Sequence, residues 1–394
     1  MSQQPIDRSP DLKRLRDEGY NIIVRDGYVL MRDVPYVNAA REIKRGVLVA
    51  ALTLTNDVAS APADHVAMFA GEYPCHETGT AIERIRHGDS AVKIGDITTN
   101  YSFSAKPKPH DRDPDFYVKM TRYAQILSAP AMAINPDVTA RTYPVYRNDE
   151  EKDDSVFRYA DTASSRANIV AVTNKLKLNR IDILGAGGTG SYILDLVAKT
   201  PVREAHIWDG DVFDQHNAFR APGAASGEEL EERLKKVGYY ARMYGKMRRG
   251  IIPHPEYVTA QNVQNLRGSQ FVFVCIEGPS KRLVIEQLEA MNIPFVDVGM
   301  GIYEANDSLG GILRVTTSTQ AKREHVHSKG RITFVGADEV NEYDKNIQIA
   351  DLNALNAALA VIKWKKLFGF YHDQEGEYFS AYTIGGNDLI NEDQ

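Results

Sequence analysis

The sequence contains little cysteine. Cys75 and Cys275 are its only two cysteines in 394 residues. Two thiols cannot form a four-thiolate zinc site, and a single disulfide would not hold a secreted scaffold together. We therefore expect no structural zinc, and we expect the chain to work in the cytoplasm.

Long apolar runs and a basic excess are also missing. The most apolar stretch, GVLVAALTL at residues 46–54, is far shorter than the ~20 residues that a membrane span needs. The opening segment MSQQPIDRSPDLKRLRDEGY has charges but lacks the apolar centre of a secretion signal. The formal net charge is -6 at pH 7, which gives no broad basic surface. We therefore expect neither a membrane nor nucleic acid as a partner.

One shift in composition divides the chain. The segment RNDEEKDDS, at residues 147–155, is almost entirely charged or polar, as surface linkers are. The pattern predicts an accessory domain over 1–146, a linker over 147–156 and a second domain over 157–394. The first domain is expected to be α+β. It has a hairpin signal in YNIIVRDGYVLMRDV (20–34), a strand in GVLVAALTL and helical spacing in DFYVKMTRYAQILSAPA (115–131).

The second domain alternates strands with helices. Predicted strands are RIDIL (180–184), EAHIWD (204–209), QFVFVCI (270–276) and IPFVDVG (293–299), and predicted helices are GSYILDLVAKT (190–200), ELEERLKKVGYYARMYGKMRRG (229–250) and PSKRLVIEQLEAMN (279–292). Later segments are SLGGILRVTTST (308–319) and RITFVGA (331–337), read as antiparallel additions, and the apolar helix IADLNALNAALAVIKWKKLFGFY (349–371). The alternation predicts an α/β fold, a Rossmann-like, doubly wound and mostly parallel sheet.

A glycine-rich loop joins the first of these strands to its helix. It reads GAGGTG and supplies Gly185, Gly187, Gly188 and Gly190. Glycines permit the tight turn and a close approach to phosphate, and the helix start offers free N–H groups and a positive dipole end. Asp209 ends the next strand, where a ribose-binding acid is expected. These residues predict a nucleotide site, but the loop alone does not distinguish NAD from ATP.

Polar residues after the second strand favour a triphosphate. Asn217 and Arg220 are three residues apart, so they face the same way on a helical turn. An amide and a guanidinium together suit phosphate oxygens, which arginine binds in a fixed fork. Lys235 and Lys236 follow near the next helix, and either could add a positive charge.

Two carboxylates stand where magnesium would be held. Asp211 follows the second strand, and Glu277 follows QFVFVCI. Carboxylates at strand ends that face a glycine loop suit Mg²⁺ bound to phosphates.

Together these motifs resemble the family of ThiF, MoeB and the ubiquitin-activating enzymes, over roughly residues 160–370. Members adenylate the C-terminal carboxylate of a ubiquitin-like or sulfur-carrier protein. The resemblance implies the following roles: ribose binding by Asp209, triphosphate binding by Arg220 and Lys236, orientation of the triphosphate by Asn217, and magnesium binding by Asp211 and Glu277. The family usually has aspartate where this chain has Glu277.

The resemblance also implies partners and an assembly. Arg166, in DTASSRANI, would match an arginine that the family presents across a dimer interface, so a homodimer is expected. The implied enzyme is an ATP- and Mg²⁺-dependent adenylyltransferase. Its protein substrate would end in glycine, and its acyl-adenylate would pass to a partner such as a conjugating enzyme.

Two alternatives stay open, one because NAD enzymes use the same glycine loop and the other because the sequence departs from the family. The region after the nucleotide domain lacks the thioester-forming cysteine of ubiquitin-activating enzymes. Cys275 lies in an apolar strand and is expected in the core, whereas Cys75 lies beside His76 in a polar loop and is a candidate nucleophile. The alternatives are an NAD-dependent oxidoreductase that uses the same loop, and a catalytically reduced scaffold of a conjugation system.

Overall fold

A computed structural model describes residues 4–108, 112–148, 154–334 and 347–394. The chain divides into two compact units. The first comprises Met1–Ser155 and Tyr159–Asn168, and the second comprises Val156–Arg158 and Ile169–Gln394.

The first unit is built from four helices and ten strands within the described ranges. They are α1 (Gln4–Arg8), α2 (Pro10–Asp17), β1 (Asn21–Arg25), β2 (Tyr28–Val37), β3 (Ile43–Ala51), β4 (Leu54–Thr55), β5 (Val58–Ala59), β6 (Val66–Ala70), β7 (Arg86–Asp89), β8 (Lys93–Ile94), β9 (Ile97–Thr98), β10 (Tyr101–Ser104), α3 (Phe116–Ile134) and α4 (Thr162–Arg166).

An antiparallel sheet and a long helix form the core of the first unit. The sheet order is β1-β2-β3-β6-β10-β7. Asp26 and Gly27 both have positive φ, so the predicted hairpin turn between β1 and β2 is confirmed. Helix α3 buries Phe116, Met120 and Leu127 in the same core as the sheet residues. The predicted strand and helix of this unit are therefore confirmed.

The second unit continues the numbering. Its elements are α5 (Val170–Thr173), β11 (Arg180–Leu184), α6 (Gly188–Ala198), β12 (Glu204–Trp208), α7 (Gln215–Ala218), α8 (Gly227–Glu231), α9 (Lys236–Gly245), β13 (Ile251–His254), β14 (Phe271–Val274), α10 (Ser280–Ala290), β15 (Phe295–Ala305), β16 (Ser308–Ser318), α11 (Glu324–Ser328), α12 (Ala350–Leu367), β17 (Phe379–Thr383) and β18 (Asp388–Glu392).

The eight-stranded sheet of the second unit is mostly parallel. Its order is β13-β12-β11-β14-β15-β16-β17-β18, with the first five strands parallel and the last three antiparallel. From β11 the chain winds outward through β12 and β13, then returns to the other side for β14 and β15. This is the doubly wound arrangement, and it opens a crevice at the carboxyl ends of β11 and β14. The predicted α/β class is confirmed.

Two details of the prediction are wrong. The single helix expected over 229–250 is interrupted, because Arg233 has φ +49° and Lys235 is extended and pairs with Val212. The strand expected over 331–337 is absent from residues 331–334, and its remainder lies outside the described residues. None of the helices in the described ranges is both long and apolar enough to cross a bilayer.

Candidate functional site

The glycine loop turns at the carboxyl end of β11, and close contacts explain three of its four glycines, whereas a Cβ on Gly187 would meet no atom within 4 Å. Gly185 has φ +92°, and a Cβ there would lie 2.6 Å from the carbonyl oxygen of Cys275. A Cβ on Gly190 would lie 1.9 Å from the carbonyl oxygen of Gly185, and one on Gly188 would lie 2.0 Å from the side-chain nitrogen of Asn353. The loop therefore packs against β14 and α12 at distances that no larger residue permits.

A cavity of about 290 Å³ opens in front of this loop, within the second unit. Its polar wall holds Gly185, Gly187, Asp209, Asp211, Arg220, Lys236, Tyr257, Glu277, Ser280 and Gln348, and its apolar wall includes Leu184, Trp208, Val258 and Ile276. A mixed wall of this kind suits a ligand with an apolar ring system at one end and charged groups at the other.

Asp209 fixes the glycine loop to the neighbouring strand. Its carboxylate accepts the backbone N–H of Ala186 at 2.8 Å and that of Asp211 at 2.8 Å. The residue is buried, 7% exposed, and still lines the cavity. Each carboxylate oxygen has a second lone pair, so Asp209 can also accept from a ribose hydroxyl.

Lys236, and not Lys235, is the lysine of the cavity. The Lys236 ammonium lies 2.6 Å from an oxygen of Asp211 and 3.9 Å from one of Asp209, and the residue is buried. The exposed Lys235 donates instead to the carbonyl oxygen of Gly210 at 2.6 Å. The break between α8 and α9 produces this difference. Lys235 is extended and precedes α9, so Lys236 is the first residue of that helix and faces inward.

Asp211 is held by two donors. Partial burial opposes its ionisation, but hydrogen bonds from Lys236 and Tyr257 lower the pKa of its carboxyl group. The same hydrogen bond raises the pKa of Tyr257 to about 12. Asp211 is therefore an anion when the cavity holds only protein atoms, and Lys236 balances its charge.

Arg220 offers a buried donor without a partner. Its Nε atom is inaccessible to solvent and has no hydrogen-bond partner among the described residues. Buried polar atoms are nearly always paired, so an orphaned guanidinium nitrogen on a cavity wall indicates a ligand with acceptor oxygens.

Glu277 lines the same cavity from the loop after β14, and its side chain is 55% exposed. Lys281 is 3.9 Å from Glu277 and 2.8 Å from Asp297, which it pairs with in the interior. Complete burial raises the pKa of Asp297 to about 6, although Lys281 opposes that rise. Glu277 and Asp211 thus share one cavity, and their oxygens are of the type that Mg²⁺ prefers.

Four predicted residues do not line this cavity. Gly188 and Gly190 line a smaller neighbouring cavity, and Asn217 and Arg166 line neither. Asn217 is buried, and its amide oxygen accepts the backbone N–H of Asp214 at 2.9 Å, which stabilises the turn at α7. Arg166 is exposed at the end of α4 and belongs to the first unit. Its expected role was across a dimer interface, which a single chain does not test.

The setting of Cys75 differs from the expected polar loop. Cys75 is 3% exposed and forms bridge pairs with Val37 and Ala81. Burial raises the pKa of its thiol, which is the reverse of what an activated nucleophile needs. Cys275, which was expected in the core, is half-buried and lines the cavity, and burial of its thiol raises the thiol pKa in the same way.

Several residues around the cavity were not predicted. Tyr257 follows β13 and reaches Asp211 across 46 residues of chain, so no local pattern marks it. The ion pair of Lys281 and Asp297 also joins two separate elements, α10 and β15, so no local pattern marks it either. Asn353 could have been found, because it is a polar residue on the buried side of α12, as Asn356 is. The described residues contain no cluster of three or more histidine, cysteine, aspartate or glutamate side chains that could hold a metal ion.

Comparison with known proteins gives a family for the first unit and loose structural likenesses. Residues 10–162 match a family described as a domain of unknown function, DUF6791. No curated protein sequence matches the chain.

Solved structures similar to the chain include E. coli MccB with ATP, at 17% identity and a TM-score of 0.42, covering 59% of this chain and 69% of that one. The microcin C7 biosynthetic enzyme MccB in complex with N-formylated MccA is similar at 18% identity and a TM-score of 0.45, covering 59% and 70%. PaaA is similar at 13% identity and a TM-score of 0.45, covering 71% and 95%. Likenesses of this size carry no argument about function, so the chemistry is argued from the site itself.

Proposed function

We propose that the chain is an ATP- and Mg²⁺-dependent adenylyltransferase that activates a C-terminal carboxylate of a peptide or protein. The observation that carries the proposal is the cationic wall of the cavity. A buried lysine, and an arginine whose Nε has no partner among the described residues, line the same cavity as the glycine loop at the switch point of a doubly wound sheet. A dinucleotide for hydride transfer does not need two such cations beside the loop.

The sign of each residue's charge suggests its role. Arg220 and Lys236 would bind the triphosphate, and Asp209 would bind the ribose. Asp211 and Glu277 would hold Mg²⁺, which supplies positive charge to the phosphate oxygens when it is bound. Lys236 pairs with Asp211 until phosphate oxygens compete for its protons, so nucleotide and metal are expected to bind together.

The reaction follows from this arrangement. A substrate carboxylate oxygen attacks the α-phosphorus in line, the bond between the α- and β-phosphates breaks, and pyrophosphate leaves. The step needs no proton transfer and no covalent enzyme intermediate, so positioning and charge neutralisation are the chain's main contributions. Burial raises the pKa of both thiols, so neither Cys75 nor Cys275 is activated as a nucleophile and the acyl-adenylate is expected to pass directly to a partner. A ubiquitin-like or sulfur-carrier protein ending in glycine, and a homodimer, remain our expectations from the motif resemblance.

The test measures nucleotide choice on the full chain. Titration calorimetry with ATP and MgCl₂ should show saturable binding, and NADH fluorescence should not change on mixing. Saturable NADH binding without ATP binding would instead favour an oxidoreductase. Binding of ATP without isotope exchange between ATP and pyrophosphate, in the presence of C-terminally free peptides, would favour a scaffold.

A further inference from the structure

A second cavity, of about 50 Å³, lies on the other side of the glycine loop. It shares Gly187, Cys275, Glu277 and Gln348 with the nucleotide cavity. Its remaining wall comes from the start of α6, from β15 and from α12, and consists of Gly188, Thr189, Gly190, Val298, Gly299, Met300 and Asn356. A group in this cavity would lie beside any phosphate held at Gly187.

Two amide oxygens on this wall have no donor among the described residues. Asn356 is 1% exposed, and its side-chain nitrogen donates to the carbonyl oxygen of Gly299 at 3.2 Å. That bond fixes the orientation of the amide, so its Oδ1 atom is left without a partner. The Oε1 atom of Gln348 is buried and unpartnered in the same way. Buried acceptors without donors are rare, and two on one small cavity indicate that a ligand supplies the donors.

The side of this cavity that Asn356, Gln348 and Glu277 form favours an N–H group. Asn356 and Gln348 present amide oxygens, and Glu277 presents a carboxylate. Phosphate and carboxylate oxygens suit the N–H groups at the start of α6 and are repelled by these three acceptors, whereas a peptide N–H would satisfy one of the acceptors. The volume leaves no room for a large side chain beside that N–H.

We propose that the second cavity binds the last residue of the substrate, with Asn356 Oδ1 accepting the N–H of the final peptide bond. In an α-amino acid residue, one carbon separates this nitrogen from the carboxylate carbon. The carboxylate can therefore reach the wall that the two cavities share, which includes Gly187 of the glycine loop. Asn356 is then a specificity-determining residue for peptidyl carboxylates with a small last residue. This inference rests on the proposed function.

A matched pair of small probes tests the inference. N-acetylglycine and acetoxyacetic acid have the same shape and charge, but the second has an ester oxygen in place of the N–H. Saturation-transfer NMR on the full chain, saturated with a non-hydrolysable ATP analogue and Mg²⁺, gives the dissociation constant of each. We expect N-acetylglycine to bind more tightly by about tenfold or more, because the ester oxygen would face the Asn356 oxygen. In Asn356→Leu the ratio should fall to about one.

The outcomes separate this inference from the proposed function. Calorimetry with the ATP analogue is measured first, and failure of the analogue to bind overturns the proposed function and the inference with it. If the analogue binds but the two probes bind equally, or neither binds, the subsite is overturned and the proposed function stands. Binding of Mn²⁺ alone that Asn356→Leu abolishes would assign the cavity to a cation and also overturn the subsite. The comparison of probes in the unsubstituted chain decides the matter if Asn356→Leu does not fold.

Discussion

At the scale of single residues, the two cations of the nucleotide cavity differ in whether they have a partner. Arg220 has a buried Nε that donates to none of the described residues, while Lys236 is balanced by Asp211. The two cations are therefore not equivalent. A triphosphate would give the Arg220 Nε an acceptor that none of the described residues supplies, but it would cost Lys236 an existing ion pair, so Arg220 should contribute more net affinity.

The first prediction concerns Arg220. Arg220→Ala should abolish measurable exchange between ATP and pyrophosphate and weaken ATP binding by about 100-fold or more, since a hydrogen bond to a charged group is lost in a buried site. Arg242→Ala is the matched control, because it removes the same charge from the exposed face of α9 and should leave ATP binding within about twofold. Normal exchange in Arg220→Ala would refute the placement of the triphosphate.

The second prediction concerns the buried pair of Lys281 and Asp297. The folded-state pKa of Asp297 is raised from 3.8 to about 6, so the folded chain binds this proton more tightly than the unfolded chain does. The contribution of Asp297 to stability is therefore fully present below about pH 4 and is lost as pH rises through 6. Urea unfolding at steps from pH 4 to 7 should show this loss in the unsubstituted chain relative to Asp297→Asn. Parallel pH profiles for the two proteins would contradict it.

At the scale of elements, the sequence predicts the part of the sheet that forms the site. Strand β11 is predicted residue for residue, and α6, β12 and β14 are each predicted within two residues at either end, because long apolar runs and glycine punctuation mark them. Strand β13 was missed because IIPH is short and contains Pro253, which an edge strand tolerates. Strand β18 was missed because DLINE is exposed along its length and carries no burial pattern.

Several predicted site residues line one cavity, and the local sequence explains why for only some of them. Asp209, Asp211 and Glu277 follow parallel strands, whose carboxyl ends meet at one edge, so their proximity could be predicted. The sequence could not predict that Lys236, and not Lys235, lines the cavity, because this depends on the break in the helix before α9. Contacts such as Tyr257 with Asp211 depend on how distant segments of the fold pack.

The third prediction concerns the glycines of helices. Gly190→Ala should destabilise the second unit by roughly 1–3 kcal/mol or more, because its Cβ would meet the backbone of Gly185 at 1.9 Å. Gly238 lies inside α9 and has no atom within 4 Å of an added Cβ. Gly238→Ala is the matched control and should increase stability by roughly 0.5–1 kcal/mol, since alanine favours helix. Thermal unfolding measures both, and equal effects of the two substitutions would contradict the close packing of the loop.

At the scale of the whole molecule, two units with separate cores share one chain. The first unit buries its apolar residues between a sheet and α3, and the second buries its own on both faces of the parallel sheet. The residues that line the nucleotide cavity and the second cavity all belong to the second unit. A ligand in these cavities therefore contacts residues of the second unit alone.

The fourth prediction follows from this division. Differential scanning calorimetry of the full chain should resolve two unfolding transitions, and ATP with Mg²⁺ should raise the midpoint of only one. At 100 times its dissociation constant a ligand adds about 2.7 kcal/mol, which corresponds to roughly 5–10 °C for a unit of this size. Arg220→Ala should remove the shift and leave the other transition in place. A single transition that moves as a whole with ATP would show that the two cores unfold together, and an unmoved pair of transitions would show that neither unit holds the nucleotide.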